Sequence, residues 1–249
     1  MSGSFPTTVD ALWRAGVPDP SRPLITYYDD STGERTELSG ATLDNWVAKT
    51  ANLLVDGHGL GPGDTAAVLL PPHWQAAAVL LGCWAAGVAV ADAARAQTGA
   101  EPGGLNAEVA FATADRLDDA RVVAPDVYVL GLAPLAAPMR PGPPAGAADY
   151  VVEVRAYADR FSATAGSGDL ATPVETQEEL CRRAARRAAE LGIAGGGRVL
   201  VDGDAVADPA DWLLAPLAAG ASIVLCRHVD RGRLDERAVV ERVTVRLAP

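Results

Sequence analysis

The residues from Ser162 to Pro173, SATAGSGDLATP, set hydroxyl side chains and glycines just ahead of a helical, arginine-rich run. Serine and threonine hydroxyls beside glycine N–H groups are the chemistry that cradles a phosphate: both donate, and glycine lets an anion approach the backbone. Ser162, Thr164, Gly166, Ser167 and Gly168 are therefore the candidate phosphate-binding residues. Two features oppose that chemistry. The loop has no lysine, and Asp169 puts a negative charge where an anion would lie, so the two repel.

Other stretches have the composition of a site without its order. The loops GLGPGD (Gly59 to Asp64) and GIAGGGR (Gly192 to Arg198) each follow a helix and precede a strand. A dinucleotide fingerprint needs strand, loop, then helix, so these loops are expected to reverse the chain, with Gly59 and Gly192 ending helices. Arg182, Arg183, Arg186 and Arg187 share one helical face and are expected to be solvated. Asp202, Asp204, Asp208 and Asp211 lack the order of a calcium loop and suit turns and a helix start, so no metal is expected. No nucleophile elbow, HExxH or Walker lysine motif occurs, and no catalytic residue is assigned. Cys83, Cys181 and Cys226 are odd in number and scattered, as expected of buried, inert thiols, and His58, His73 and His228 lie in unrelated contexts.

Composition narrows the class of protein. With 249 residues, 49% of them hydrophobic, the chain can bury a real core. A formal net charge of −11 argues against binding nucleic acid backbones or anionic membranes. The start, MSGSFPTTVDALW, lacks the charged and apolar regions of a signal peptide, so a cytoplasmic setting is expected. Thr65 to Ala91 contains no charged residue, but PPHWQ interrupts it, and the run after Gln75 is too short for the roughly 20 residues of a membrane span.

The elements that must position these residues follow from periodicity. LITYY and RTEL flank a DDSTGE turn and predict a β-hairpin. Ser39 can cap a helix whose apolar face is Leu43, Trp46, Val47, Thr50, Leu53 and Leu54. AAVLL predicts a strand covered on both faces, followed by a helix from Pro72 to Ala86 and a strand at VAVA. The pattern repeats: Gly59/Gly192, Leu60/Ile193 and Gly87/Gly220 all stand 133 residues apart. The fold class expected is α/β, with two similar α/β lobes of parallel-rich sheets flanked by helices. The first lobe, with the hairpin, is placed at 1–140 and the second at 141–249. The proline- and glycine-rich Gly131 to Ala148 marks the boundary, and DYVVEVRAYADRF after it predicts a helix.

The segment from Arg35 to Val90 resembles the N-terminal part of adenylate-forming, AMP-binding enzymes, the superfamily of acyl-CoA synthetases. It shares the turn at Gly59 to Asp64, the strand end at Val68 to Pro71, and Ala86-Gly87. The correspondence is good over residues 6–92 and weaker to Val245. It is most specific to small actinobacterial proteins built like truncated members. The resemblance implies that SATAGSGDLATP occupies the place of the loop that grips ATP phosphates, as a degenerate remnant. Lys49, the only lysine, matches no catalytic motif of the family, and the family's later motifs and C-terminal domain have no counterpart here. These departures imply a non-catalytic relative acting as a binding or regulatory protein. The alternatives are a retained site for ATP, AMP or an acyl ligand in a cleft between the lobes, or a homo-oligomer or protein-interaction module.

Overall fold

The computed structural model describes residues 5–92 and 106–248; the reading of the N-terminus rests in part on residues 1–4, which lie outside them. The chain divides into two compact units, Met1–Leu43, Pro71–Ala77 and Glu178–Pro249 in the first, and Asp44–Leu70 and Ala78–Gln177 in the second. Both are mixed α/β, each built on a five-stranded sheet.

In the first unit the hairpin of β1 (Pro23–Asp29) and β2 (Glu34–Ser39) turns at Gly33, whose φ is +76°. The hairpin joins three parallel strands, β10 (Arg198–Asp202), β11 (Ser222–Arg227) and β12 (Val245–Leu247), in the order β12-β10-β11-β1-β2. The apolar runs of β10 and β11 are buried without alternation, as strands covered on both faces must be.

The second unit holds β3 (Thr65–Leu69), β4 (Ala89–Asp92), β5 (Val109–Ala112), β6 (Asp126–Val129) and β7 (Ala148–Asp149), all parallel, in the order β4-β3-β5-β6-β7. A short antiparallel pair, β8 (Leu170–Thr172) and β9 (Glu175–Thr176), forms its own two-stranded sheet beside β4.

The internal repeat is visible in strand register. Thr65 pairs with Ala89 in one sheet and Arg198 with Ser222 in the other, so both partners move by the offset that relates Gly59 to Gly192. Gly59, Gly87, Gly192 and Gly220 all have φ between +67° and +79°. A left-handed residue after a helix end is what glycine adopts most readily.

The hairpin does not belong with the first lobe, where the sequence division placed it. Leu24 to Tyr27 are buried, and β11 supplies the parallel neighbour on the side of β1 that β2 leaves open. The connection after Gly131 is mostly irregular, with a helical turn at Pro134–Ala136, but it joins β6 to β7 within one sheet.

Helix α1 spans Val9–Ala15 and α2 spans Gly40–Asn52; Ser39 Oγ accepts the Thr42 N–H at 3.1 Å, the expected cap. Helix α3 (Trp74–Ala86) starts two residues later than Pro72 suggests, because His73 Nδ1 accepts the Gln75 N–H at 3.1 Å. It is buried along its length, and among the described residues no helix is long and apolar enough to cross a membrane. Helix α4 is Leu117–Val123, and α5 is Tyr150–Val154.

Helix α6 (Gln177–Glu190) corrects the reading of its arginines. Arg182 and Arg186 pair with Glu178 and Glu190 on their own helix, as solvated residues do. Arg187 instead clasps both oxygens of Asp211, at 2.7 and 3.1 Å, and Arg183 lies 3.3 Å from Asp208. Asp208 also accepts the Ala210 N–H, capping the turn Ala210–Leu214 that runs into α7 (Ala215–Ala218). Arg183 and Arg187 of the basic stripe and Asp208 and Asp211 are thus two halves of one clasp, while Asp204 pairs with Arg227. Arg187→Ala is expected to cost about 1 kcal/mol in urea unfolding, and Arg182→Ala close to nothing, since exposed pairs along one helix contribute little. Helix α8 is Leu234–Val240.

All three cysteines are buried free thiols. Burial pushes their pKa values up, to about 12 for Cys83 and Cys181 and about 11 for Cys226. None is poised as a nucleophile.

Candidate nucleotide-binding loop

The loop from Ser162 to Asp169 is held at both ends within the second unit. The helix expected across its approach stops at Val154, because side chains of α2 take the backbone carbonyls that a longer helix would use itself. Lys49 Nζ donates to the carbonyls of Tyr157 and Arg155, and Asn52 Nδ2 to those of Ala158 and Arg160, both at 2.9 Å. The one lysine of the chain is therefore a structural anchor. It lies one helical turn from Asn52, the only signal in the sequence that could have linked the two.

The loop then docks on the end of α3. Thr164 donates its N–H to the Ala85 carbonyl at 3.0 Å and its Oγ1 to the Ala86 carbonyl at 3.1 Å, satisfying carbonyls that a helix end leaves open. The exit is fixed as firmly. Trp84 Nε1 donates to the Ala171 carbonyl at 2.8 Å, Gln177 Nε2 to the Trp84 carbonyl at 3.3 Å, and the Gln177 N–H to the Asp169 carbonyl at 2.8 Å. None of these contacts was legible in the sequence.

Between the anchors, Ser162, Thr164, Gly166, Ser167 and Gly168 are exposed. Thr164 has spent its hydroxyl on Ala86; those of Ser162 and Ser167 have no partner among the described residues. Asp169 turns its carboxylate inward, where Oδ2 accepts the Gly166 N–H at 2.6 Å. The donor that would meet a phosphate meets the protein's own anion. Neither Gly166 nor Gly168 has a positive φ; a Cβ on Gly168 would meet nothing, and one on Gly166 only the Asp169 carboxylate, at 3.4 Å. The fold itself does not demand glycine at either position.

The anchor also fixes which end of the sheet the loop meets. Helix α3 crosses from β3 back to β4, so its C-terminus lies at the amino end of β4. The nucleotide crevices of open α/β sheets form at the opposite, carboxyl ends of the strands. At the carboxyl ends of the first unit's sheet, His228 Nδ1 stands 3.0 Å from Asp29 Oδ1, and Ser31 Oγ donates to the same oxygen at 2.6 Å. Burial raises the Asp29 pKa, but bonds from Ser31 and His228 outweigh it and hold the carboxyl below its usual range. Among the described residues no three His, Cys, Asp or Glu side chains could hold a metal ion.

Comparison with known proteins agrees with this architecture. Residues 12–102 match the family model described as AMP-binding enzyme. A TIGR03089 family protein of Mycobacterium tuberculosis is 41% identical over 252 residues, covering 98% of this chain and 96% of that protein. An acyl-CoA synthetase of Brucella canis has the same fold, with a TM-score of 0.74 at 19% identity, covering 99% of this chain and 48% of that one. An anthranilate CoA ligase solved with anthranoyl-AMP gives 0.68 at 13% identity, covering 98% of this chain and 49% of that one. The chain thus spans about half the length of these two enzymes. It belongs to the TIGR03089 family, and its fold is that of the adenylate-forming acyl-CoA synthetases.

Proposed function

We propose that this chain is a non-catalytic relative of the AMP-binding acyl-CoA synthetases and acts as a binding or regulatory protein. The Asp169 carboxylate on the Gly166 N–H carries this reading. A phosphate entering there would have to displace a charged hydrogen bond and then face the same carboxylate. Lys49 does not relieve the repulsion, since its ammonium is committed to the Tyr157 and Arg155 carbonyls. Transfer chemistry needs preorganised positive charge or donors at the developing anion, and this loop offers two free serine hydroxyls. Three buried cysteines without a disulfide fit a reducing, cytoplasmic setting.

The test is calorimetric titration with ATP, with and without magnesium, and with AMP, followed by pyrophosphate exchange in the presence of carboxylic acids. No heat and no exchange above buffer are the expected results. Micromolar ATP binding together with exchange would sink the proposal.

A second reading is retained binding of an adenine nucleotide or an acyl ligand without adenylation. It is favoured by the exposed Ser162 and Ser167 hydroxyls on a loop anchored at both ends, since functional loops are commonly set on rigid scaffolds. On this reading Ser167→Ala weakens the binding of AMP; AMP affinity unchanged in both Ser167→Ala and Thr164→Val would remove it.

A further inference from the structure

A pocket of about 520 Å³ opens within the first unit, at the amino ends of its parallel strands. It shares no residue with the Ser162–Asp169 loop. Its lining carries Arg22, Arg198 and Arg242 against two carboxylates, Asp19 and Glu241, in a chain whose formal charge is −11. Arg198 is already committed: it bonds Glu241, Thr26 Oγ1 at 2.8 Å and Ser222 Oγ at 3.2 Å. Glu241 is committed as well, accepting Tyr28 Oη at 2.6 Å and Arg35 at 3.2 Å. No hydrogen bond or ion pair joins the guanidinium of Arg22 or Arg242 to another described residue; Arg22 acts on Asp19 only through its charge.

Arg242 also sits in an unusual backbone position. Helices ending before Gly59, Gly87, Gly192 and Gly220 each close with a left-handed glycine, and the following N–H reaches back to the last turn. Helix α8 closes in the same way, with the Val243 N–H on the Ala238 carbonyl at 2.9 Å, but its left-handed residue is Arg242, at φ +52°. A residue with a Cβ is strained there, and the four other helix ends that close in this way carry glycine. The remaining left-handed residues with a Cβ, Leu132, Leu135, Ala136 and His228, do not close a helix in this manner. A cation near a helix C-terminus is favourable, yet an arginine one position earlier would supply that charge without the strain. Strain retained where a simple substitution would relieve it points to function.

We propose that this pocket binds a small organic anion, its phosphate or carboxylate head held by Arg242 and Arg22 and its apolar part lying against Val17, Leu24 and Val240. The volume is within the range of small-molecule sites.

The test measures thermal shifts and calorimetry with inorganic phosphate, phenyl phosphate and butyrate, on the full chain and on Arg242→Gly, Arg242→Asn and Arg182→Ala. Phenyl phosphate or butyrate is expected to stabilise the protein at millimolar concentration; which of them does so identifies the headgroup. Without ligand, Arg242→Gly is expected to raise Tm by about 2 °C, because the strain is relieved. In the same variant affinity is expected to fall about tenfold, the loss of one charge-assisted hydrogen bond. Arg242→Asn, which tolerates the left-handed position, should show the same loss of affinity. Arg182→Ala, which removes an exposed pair outside the pocket and the loop, should bind as the unmodified chain does. No shift with any probe overturns the proposal, as does undiminished affinity in both Arg242 variants.

Discussion

Acidification from about pH 6 to about pH 4 will remove stability at about 1.4 kcal/mol per pH unit, through the titration of His73 alone. The ring is 1% exposed. Burial first, and the Arg227 charge second, hold its pKa down at about 3, while Asp29 pulls weakly the other way. In the unfolded chain the same ring titrates near its ordinary 6.5. Below that value the unfolded state takes up a proton that the folded state refuses, so falling pH favours unfolding until the folded ring itself titrates. The cumulative loss at about pH 4 is roughly 3 kcal/mol, a large part of what holds a domain folded. Urea unfolding at several pH values measures it. His73→Asn keeps an acceptor for the Gln75 N–H and cannot titrate, so its stability should be nearly flat from about pH 6 to about pH 5 and fall less steeply below that. A slope as steep in the variant as in the unmodified protein would show that another group is responsible. Asp29, Asp30 and Glu241 also have lowered values: burial raises each, and hydrogen bonds from Ser31, Arg237 and Tyr28 respectively lead the outweighing contributions. Their stabilisation is complete above about pH 5 and is lost progressively as pH falls further, so the loss between about pH 6 and about pH 5 belongs to His73.

Gly16→Ala will cost about 3 kcal/mol, while Gly168→Ala will stay within about 0.5 kcal/mol of the unmodified protein. Gly16 follows α1 with φ −74°, which alanine adopts freely, so the penalty is purely steric. A Cβ there would stand 2.1 Å from the Leu217 carbonyl oxygen and 3.2 Å from its carbon, both backbone atoms of α7 that no rotamer change can move. Relief requires lifting α1, with its buried Val9, Leu12 and Trp13, off that helix. Gly168 has neither a positive φ nor a neighbour within 4 Å of a built Cβ. Thermal melts of the two variants side by side check both expectations. Equal, small effects would mean that α1 packs less closely on α7 than these distances require.

The repeating unit is legible in the chain alone. Apolar runs without alternation, glycines at helix ends and the 133-residue offset are local or periodic signals, and they led to parallel strands and helices whose register the two sheets share. The character of the Ser162–Asp169 loop is legible too, because hydroxyls, glycines, a missing lysine and an aspartate can be judged without coordinates. Where those pieces went depended on contacts between distant segments. The hairpin joins strands nearly two hundred residues away, since strand pairing depends on which edges remain open after collapse, and no local pattern encodes that. Arg187 meets Asp211, and Lys49 meets Tyr157, for the same reason: a long cation on a helix face looks solvated until the packing of other segments brings it a partner. The inward turn of Asp169 onto Gly166 spans only three residues, yet it too depends on anchors at Trp84, Ala85 and Ala86, far away in the chain. Composition supplied the groups; long-range packing fixed which of them remain free to act.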